Sequence, residues 1–316
     1  MSAFESTRRA RVTWLVMLAL LIAAPFLGMY PVFLAKFLCY AVFACAFNLL
    51  FGFTGLLSFG HAAFLGSAAY CTGWLVRSAH LSPELGVLAG TAVAAALGLF
   101  VGFLAIRREG IYFAMITLAL AQMVYFVCLQ APFTGGEDGL QGVPRGELFG
   151  LISLGNDLTL YFVVLAVFVA VFLFIVRVVH SPYGQVLKAI RENEPRAISL
   201  GYDVVRYKLL AFVLSAAIAG LAGSMKSIVL GFASLTDVHW ALSGEVILMT
   251  LLGGVGTFAG PVIGAFTIIG LQNFLADQVG SWINVIIGVI FVICVLAFRK
   301  GFVGEILAWQ ARRKAR

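Results

Sequence analysis

The stretch LTLYFVVLAVFVAVFLFIV (158–176) runs on, through HSPYGQVLKAIRENEPRAISLGYDVVRYK (180–208), into LLAFVLSAAIAGLAGSM (209–225). Two apolar runs, each of about the ~20 residues that a helix needs to cross a bilayer, flank a polar island. Lys188, Arg191, Arg196, Arg206 and Lys208 sit in that island among Glu192, Glu194 and Asp203. A charged side chain at the bilayer centre costs at least ~2.5–3.5 kcal/mol, so this segment stands in water between two membrane helices.

The same reading extends over the chain. Of 316 residues, 62% are hydrophobic and only 11% charged, against the roughly one-quarter charged of a soluble domain. Apolar windows fall near residues 12–30, 32–52, 56–77, 84–106, 111–131, 158–179, 208–230, 241–254, 258–277 and 282–298. They are continuous runs, not the alternating segments of a barrel. The expected fold is all-α: a single polytopic membrane domain over 1–316 with about 8–10 transmembrane helices, some of them broken.

The net charge of +7 reads as orientation, not as a nucleic-acid surface. With ten crossings, 17 of the 21 Lys and Arg fall on one side: Arg8, Arg9, Arg11, Arg107, Arg108, six between Arg177 and Lys208, and six from Arg299 to Arg316. The positive-inside rule then places both termini and the island (180–208) in the cytoplasm, with 131–157 as the external loop. The charged start followed by residues 12–30 reads as an uncleaved first span, because many further apolar windows follow. Cys39, Cys45, Cys71, Cys128 and Cys294 lie in apolar windows without CxxC spacing, as small hydrophobes, and no metal site is indicated.

Small residues recur every fourth position at Gly86, Gly90, Ala94, Gly98 and Gly102, and again at Ala216, Gly220 and Ser224. Such stripes let helix backbones approach closely; a pore lining is the alternative. TGLLSFGHAAFLGSAAY (54–70) and LGGVGTFAGPVIGAF (252–266) are glycine-broken segments in the two halves of the chain, a pattern that points to a pathway near the midplane. His61 either lines that path or bonds a neighbouring helix. Glu245, read as opening a broken helix, complements the positive helix end or contacts substrate. Lys226 is the other ionisable candidate, with Asn48, Gln122, Gln272, Asn273 and Asn284 as neutral ones. Phosphate-cradling and hydrolase motifs are absent from the sequence, and so is any paired intramembrane carboxylate or cation site of the kind an ion-driven carrier needs.

Within the island, Gln185–Asn193 suits a short helix with Val186, Leu187 and Ile190 on one face. Asn193 suits the cap of a second, with Glu194 and Pro195 in its first turn and Gly201 at its end. The pair reads as a knob whose apolar face docks in a groove of a cytoplasmic partner, so that Leu187 and Ile190 face that partner. The bland alternative is a solvated loop. For the loop 131–157, rich in Gly, Pro and acidic residues, a connector and a docking edge for an external partner are both open.

SPYGQVLKAIRENEPRAISLGYDVVRYKLLAFVLSAAIAGLAG (181–223) resembles the coupling segment of permease subunits in ATP-binding-cassette importers. GFTGLLSFGHAAFLGSAAY, RREGIYFAMITLALAQM, TGGEDGLQGVP and LLGGVGTFAGPVIGAF resemble the branched-chain amino acid permeases of the LivM and LivH kind, LivM more than LivH. The resemblance implies a bacterial inner-membrane subunit without catalysis or cofactor of its own. It also implies a heterodimer with a second permease, two cytoplasmic ATPases and a periplasmic solute-binding protein. Gly184, Leu187, Ala189, Ile190, Arg191, Glu192, Asn193, Glu194, Ala197 and Gly201 would form the coupling element. Ser58, Gly60, His61, Gly253, Gly254, Gly256 and Thr257, with Glu245, would approach the path. Typical cargo of the family is leucine, isoleucine or valine, with amides, urea or other amino acids in related systems. Pro195 departs from the helix-friendly residue expected there.

Overall fold

The computed structural model describes residues 16–150 and 152–279, with positions 285–286, 288–289, 292 and 301–302. Most of the window 282–298, residues 12–15, Cys294, Asn284 and the terminal basic residues Arg8, Arg9, Arg11, Arg299, Lys300, Arg312, Arg313, Lys314 and Arg316 lie outside the described residues.

Each of the first nine apolar windows coincides with a helix: α1 (Val16–Leu27), α2 (Pro31–Thr54), α3 (His61–Ser78), α4 (Pro83–Ala105), α5 (Ile111–Gln130), α6 (Asp157–His180), α9 (Val204–Leu230), α10 (Trp240–Gly253) and α11 (Gly260–Val279). The island folds as α7 (Pro182–Glu192) and α8 (Glu194–Ser199). Five of these helices, α2, α4, α5, α6 and α9, are long and apolar enough to cross a membrane. The chain is an all-α, multi-pass membrane protein.

Local chemistry sets the ends. Proline opens α2, α4 and α7, where its missing N–H would have had no intrahelical partner. Gly55 closes α2 in the left-handed region at φ 79°, its N–H donating to the Phe51 carbonyl. The side-chain oxygens of Asn156, Ser181 and Asn193 accept the first free N–H groups of α6, α7 and α8.

Helices α2 and α9 form the centre, with α3 and α4 packed on α9 and α6 on α2. The small-residue stripes are packing seams. A Cβ on Gly90 would fall 2.3 Å from Thr72 Oγ1, on Gly98 2.4 Å from the Ala216 Cβ, and on Gly220 2.2 Å from the Ala94 Cβ. Hydroxyls stitch the same seam, Thr72 Oγ1 lying 2.8 Å from Ser224 Oγ and 3.0 Å from the Gly86 carbonyl oxygen. Burying leucine against leucine gains little in lipid, so close backbone contact and these hydrogen bonds hold the seam.

At the end remote from α7 and α8, residues 131–150 and 152–156 form turns, short 3-10 helices and short strands. Strand β1 (Leu140–Gln141) pairs antiparallel with β4 (Phe232–Ala233), just after α9, and β2 (Glu147–Leu148) pairs with β3 (Ile152–Ser153). Val143 N donates to the Gly231 carbonyl at 2.8 Å, and Arg145 meets Asp157 at 2.6 Å.

Candidate functional site

The two-helix knob is present, with its apolar face turned inward. Leu187 and Ile190 are 1% and 2% exposed, and Ile190 packs with Ala197 and Val204 against Val186 and Tyr207. This corrects the expectation that Leu187 and Ile190 face a partner: α7 lies flat on the ends of α2, α6 and α9, so its apolar stripe is covered by its own chain. Gly184 is buried too, because a Cβ there would sit 2.4 Å from the Val179 carbonyl oxygen. The outward surface carries Ala189, Arg191, Glu192, Asn193 and Gly201, with the apolar side chains of Ile198, Leu200, Tyr202 and Val205.

Pro195 lies in the first turn of α8, after an extended Asn193 at φ −159°, ψ 95°. It therefore opens the second helix instead of bending the first. Gly201 ends the knob at φ 87°. Lys208, 5% exposed, donates to both Glu194 carboxylate oxygens at 2.6 Å and approaches Glu109 at 3.8 Å, tying α8 and the start of α5 to α9. Tyr183 stacks on Tyr207 at 5.6 Å and donates to the Tyr207 carbonyl at 3.0 Å. Burial pushes the Tyr183 phenol well above its usual range, with Tyr207 adding to the effect.

The knob is linked through α2 to the broken segment of the second half. Arg191 Nη1 donates to the Gly52 carbonyl near the end of α2. On α2, Asn48 holds the α10–α11 turn from both sides: its Nδ2 donates to the Thr257 carbonyl at 2.8 Å and its Oδ1 accepts from Gly256 N at 2.9 Å. Gly256 needs its φ of 75° and its missing side chain, because a Cβ would meet the Gly52 carbonyl oxygen at 3.2 Å and Arg191 Nη1 at 3.3 Å. Within the turn, Thr257 Oγ1 donates to the Gly254 carbonyl at 2.7 Å and accepts from Gly260 N at 3.1 Å. Gly253 is buried, its Cα face set against the Gly260 backbone. Gly52, Phe53, Lys188, Arg191, Glu192 and Gly256 enclose a polar cavity of about 400 Å³.

The broken segment of the first half is sealed instead. Ser58 and His61 are 0% exposed, and Gly60 is buried against the Thr117 backbone. His61 Nε2 pairs with Ser215 Oγ at 2.8 Å, and Ser215 donates to the Ala46 carbonyl at 2.6 Å. Phe47, Phe64 and Phe212 stand edge-on to the imidazole at 5.1, 5.6 and 6.1 Å. Ser58, Gly60 and His61 thus join helices inside the chain, and the bond to Ser215 matches the second of the two readings of His61, a partner on a neighbouring helix. The expected place of Glu245 is corrected. Helix α10 opens at Trp240 and is capped by the His239 side chain, so the half-buried Glu245 lies in the second turn and not at the helix end.

The partner of Lys226 lies outside every apolar window. Lys226, 4% exposed, forms a buried ion pair with Asp237, which is 2% exposed. Asp237 closes a capping box with Ser234, and the SLTD spacing was the available signal. Lys36 sits half-buried on α2. Among the described residues there is no group of three or more potential metal ligands.

Apolar spans, paired glycine breaks and a two-helix knob linked through α2 to one of those breaks define a polytopic membrane permease. Residues 29–295 match the model of the family described as branched-chain amino acid transport system / permease component, and the chain belongs to that family. It is 28% identical over 298 residues to the high-affinity branched-chain amino acid transport system permease protein LivM of Escherichia coli, covering 86% of this chain and 70% of the relative. The protein of the same description from Salmonella typhimurium is 29% identical over 261 residues, 75% of this chain and 61% of that one. A probable branched-chain amino acid transport permease protein LivM of Methanocaldococcus jannaschii is 24% identical over 263 residues, 71% of this chain and 75% of the relative. No solved structure matches the chain.

Proposed function

We propose that this chain is one transmembrane half of an ATP-driven importer for branched-chain or closely related amino acids, with hydrolysis carried out by partner ATPases. A second, related permease completes the path, and a periplasmic binding protein delivers cargo to the acidic loop 131–157. The charge distribution supports an inner-membrane protein whose knob and termini face the cytoplasm.

The observation that carries the reading is the linkage from Arg191 on α7 to Gly52 on α2, and through Asn48 to the turn at Gly256 and Thr257. A partner that grips the knob differently with and without ATP moves a glycine-rich turn through this linkage, which meets the requirement for differential binding to two states. The gripping surface is the outer face around Ala189, Glu192, Ile198 and Leu200. Gly184, Leu187, Ile190 and Ala197 anchor that surface from beneath, while Asn193, Glu194 and Gly201 shape it. Gly253, Gly254, Gly256 and Thr257 form the part of the path that responds.

Reconstitution of the chain with its companion permease, ATPases and binding protein tests this. Leucine accumulation in proteoliposomes should require ATP and survive an ionophore. Accumulation that persists without ATP and collapses with the ionophore overturns the reading in favour of an ion-driven carrier.

A further inference from the structure

Helix α7 carries Lys188, Arg191 and Glu192 at i, i+3 and i+4, so the three side chains share one face of the helix. They meet Gly52 and Phe53 of α2 and Gly256 of the α10–α11 turn around the polar cavity of about 400 Å³. The cavities of about 620 and 280 Å³ elsewhere in the chain are lined almost wholly by apolar groups, so of the three this one concentrates charge. Arg191 and Glu192 are exposed and Lys188 is half-buried, which opens the cavity to the water around the knob, while Gly52 and Phe53 are buried.

Two positive groups and one negative group line that space, and among the described residues none of the three closes an ion pair. Arg191 commits one donor to the Gly52 carbonyl, and its Nη1 would lie 3.3 Å from a Cβ on Gly256. A guanidinium has five N–H donors, so most of the fork is left for an acceptor from outside the chain. Lys188 Nζ lies 6.0 Å from the centroid of the Phe53 ring, at the outer limit of a cation–π contact, and keeps its three donors. A lone anion in this cavity meets Glu192, and a lone cation meets Lys188 and Arg191. A molecule with neighbouring carboxylate and ammonium groups satisfies all three.

We propose that this cavity is a binding site for a free α-amino acid on the cytoplasmic side, through which delivered cargo restrains the importer. Lys188 and Arg191 take the α-carboxylate, Glu192 takes the α-ammonium, and the Phe53 ring offers an apolar wall to an aliphatic side chain. A guanidinium bonds a carboxylate more strongly than a neutral carbonyl, so occupancy draws Arg191 away from Gly52. That loosens the linkage from α7 to α2 and the turn at Gly256, and transport per ATP falls as amino acid accumulates. By reciprocity, the state in which Arg191 holds Gly52 binds the amino acid more weakly. The inference rests on the permease reading above, with its cytoplasmic knob, and adds a regulatory ligand to it.

The test uses the complete transporter in liposomes, ATPases outward, with the binding protein and labelled leucine enclosed, so that the knob meets the outer solution. Unlabelled leucine added outside should lower the labelled leucine moved per ATP hydrolysed roughly fivefold at saturation, as loss of the Arg191 bond predicts. Isocaproate, which lacks the ammonium, and isoamylamine, which lacks the carboxylate, should leave the ratio unchanged. Lys188→Gln should keep the ratio measured without outside leucine, and should raise the outside leucine needed for half the effect about tenfold or more. Lys188→Arg should restore the response in part, and Arg206→Gln, which removes an exposed charge elsewhere on the knob, should not alter it. A transporting complex that outside leucine does not slow, a response undiminished in Lys188→Gln, or an equal response to isocaproate overturns the site alone. Absence of ATP-driven leucine movement by the unaltered complex overturns the permease reading and the site with it.

Discussion

Arg191 and Gly52 are separated by 139 residues, yet the guanidinium of one donates to the backbone carbonyl of the other. The acceptor is a main-chain group near the end of α2, so no substitution at position 52 can remove it. Only the donor can be tested. Arg191→Gln should cost about 1 kcal/mol at this solvent-facing site, or roughly fivefold in leucine moved per ATP hydrolysed. Arg191→Lys should recover less than the full ratio, since a point charge replaces a fixed fork of donors. A transport-to-hydrolysis ratio unchanged in Arg191→Gln would remove this residue from the coupling route.

The outer face of the knob gives a second expectation. Ile198 and Leu200 are 58% and 67% exposed, while Leu187 is 1% exposed. Ile198→Asp and Leu200→Asp should leave the purified chain folded and abolish its association with the ATPase in a pull-down. Leu187→Asp should destabilise the chain itself, by the several kcal/mol (roughly 3 or more) of an unpaired buried charge. Equal thermal stability of Leu187→Asp and the unaltered chain would contradict the inward face.

Lys226 and Asp237 should behave as a unit. Lys226→Met alone leaves a buried carboxylate, and Asp237→Leu alone a buried ammonium, each costing ~3–5 kcal/mol. The double substitution should recover most of that loss, because no charge is then left without a partner. Thermal unfolding in detergent across the double-mutant cycle reads the coupling directly, and additive losses would show that the two residues act separately.

Close backbone contact in the α3–α9 seam can be tested by a single methyl group. A Cβ on Gly223 would fall 1.9 Å from the Leu65 carbonyl oxygen, whereas nothing lies within 4 Å of one on Gly244. Gly223→Ala should therefore cost about 1–3 kcal/mol in overpacking, and Gly244→Ala should be neutral or slightly stabilising. Melting temperatures in the same detergent decide it.

Much of the fold could be read directly because membrane helices are written as local composition. The run 158–176 became α6, and Asn193 and Gly201 marked the bounds of α8. What local pattern could not tell was direction. The apolar stripe Val186, Leu187 and Ile190 was correctly seen as a stripe, yet whether it met a partner or the chain itself depended in part on α2, which Arg191 reaches across 139 residues. His61 shows the same limit, since its hydrogen-bond partner Ser215 is 154 residues distant. Lys226 was visible as a charge in an apolar run, but its partner Asp237 lay in a short connection after β4, outside every window.

The β1–β4 pairing has a consequence for helix α10. Loop residues Leu140 and Gln141 are splinted to Phe232 and Ala233, and Val143 to Gly231, only a few residues before α10 begins at Trp240. The other end of α10 runs into the turn held by Asn48 beside Arg191. A displacement of the loop at one end of the molecule and a displacement of the knob at the other therefore arrive at the same fourteen-residue rod from opposite directions. Helix α10 is positioned to register two arrivals at once, one from each side of the membrane.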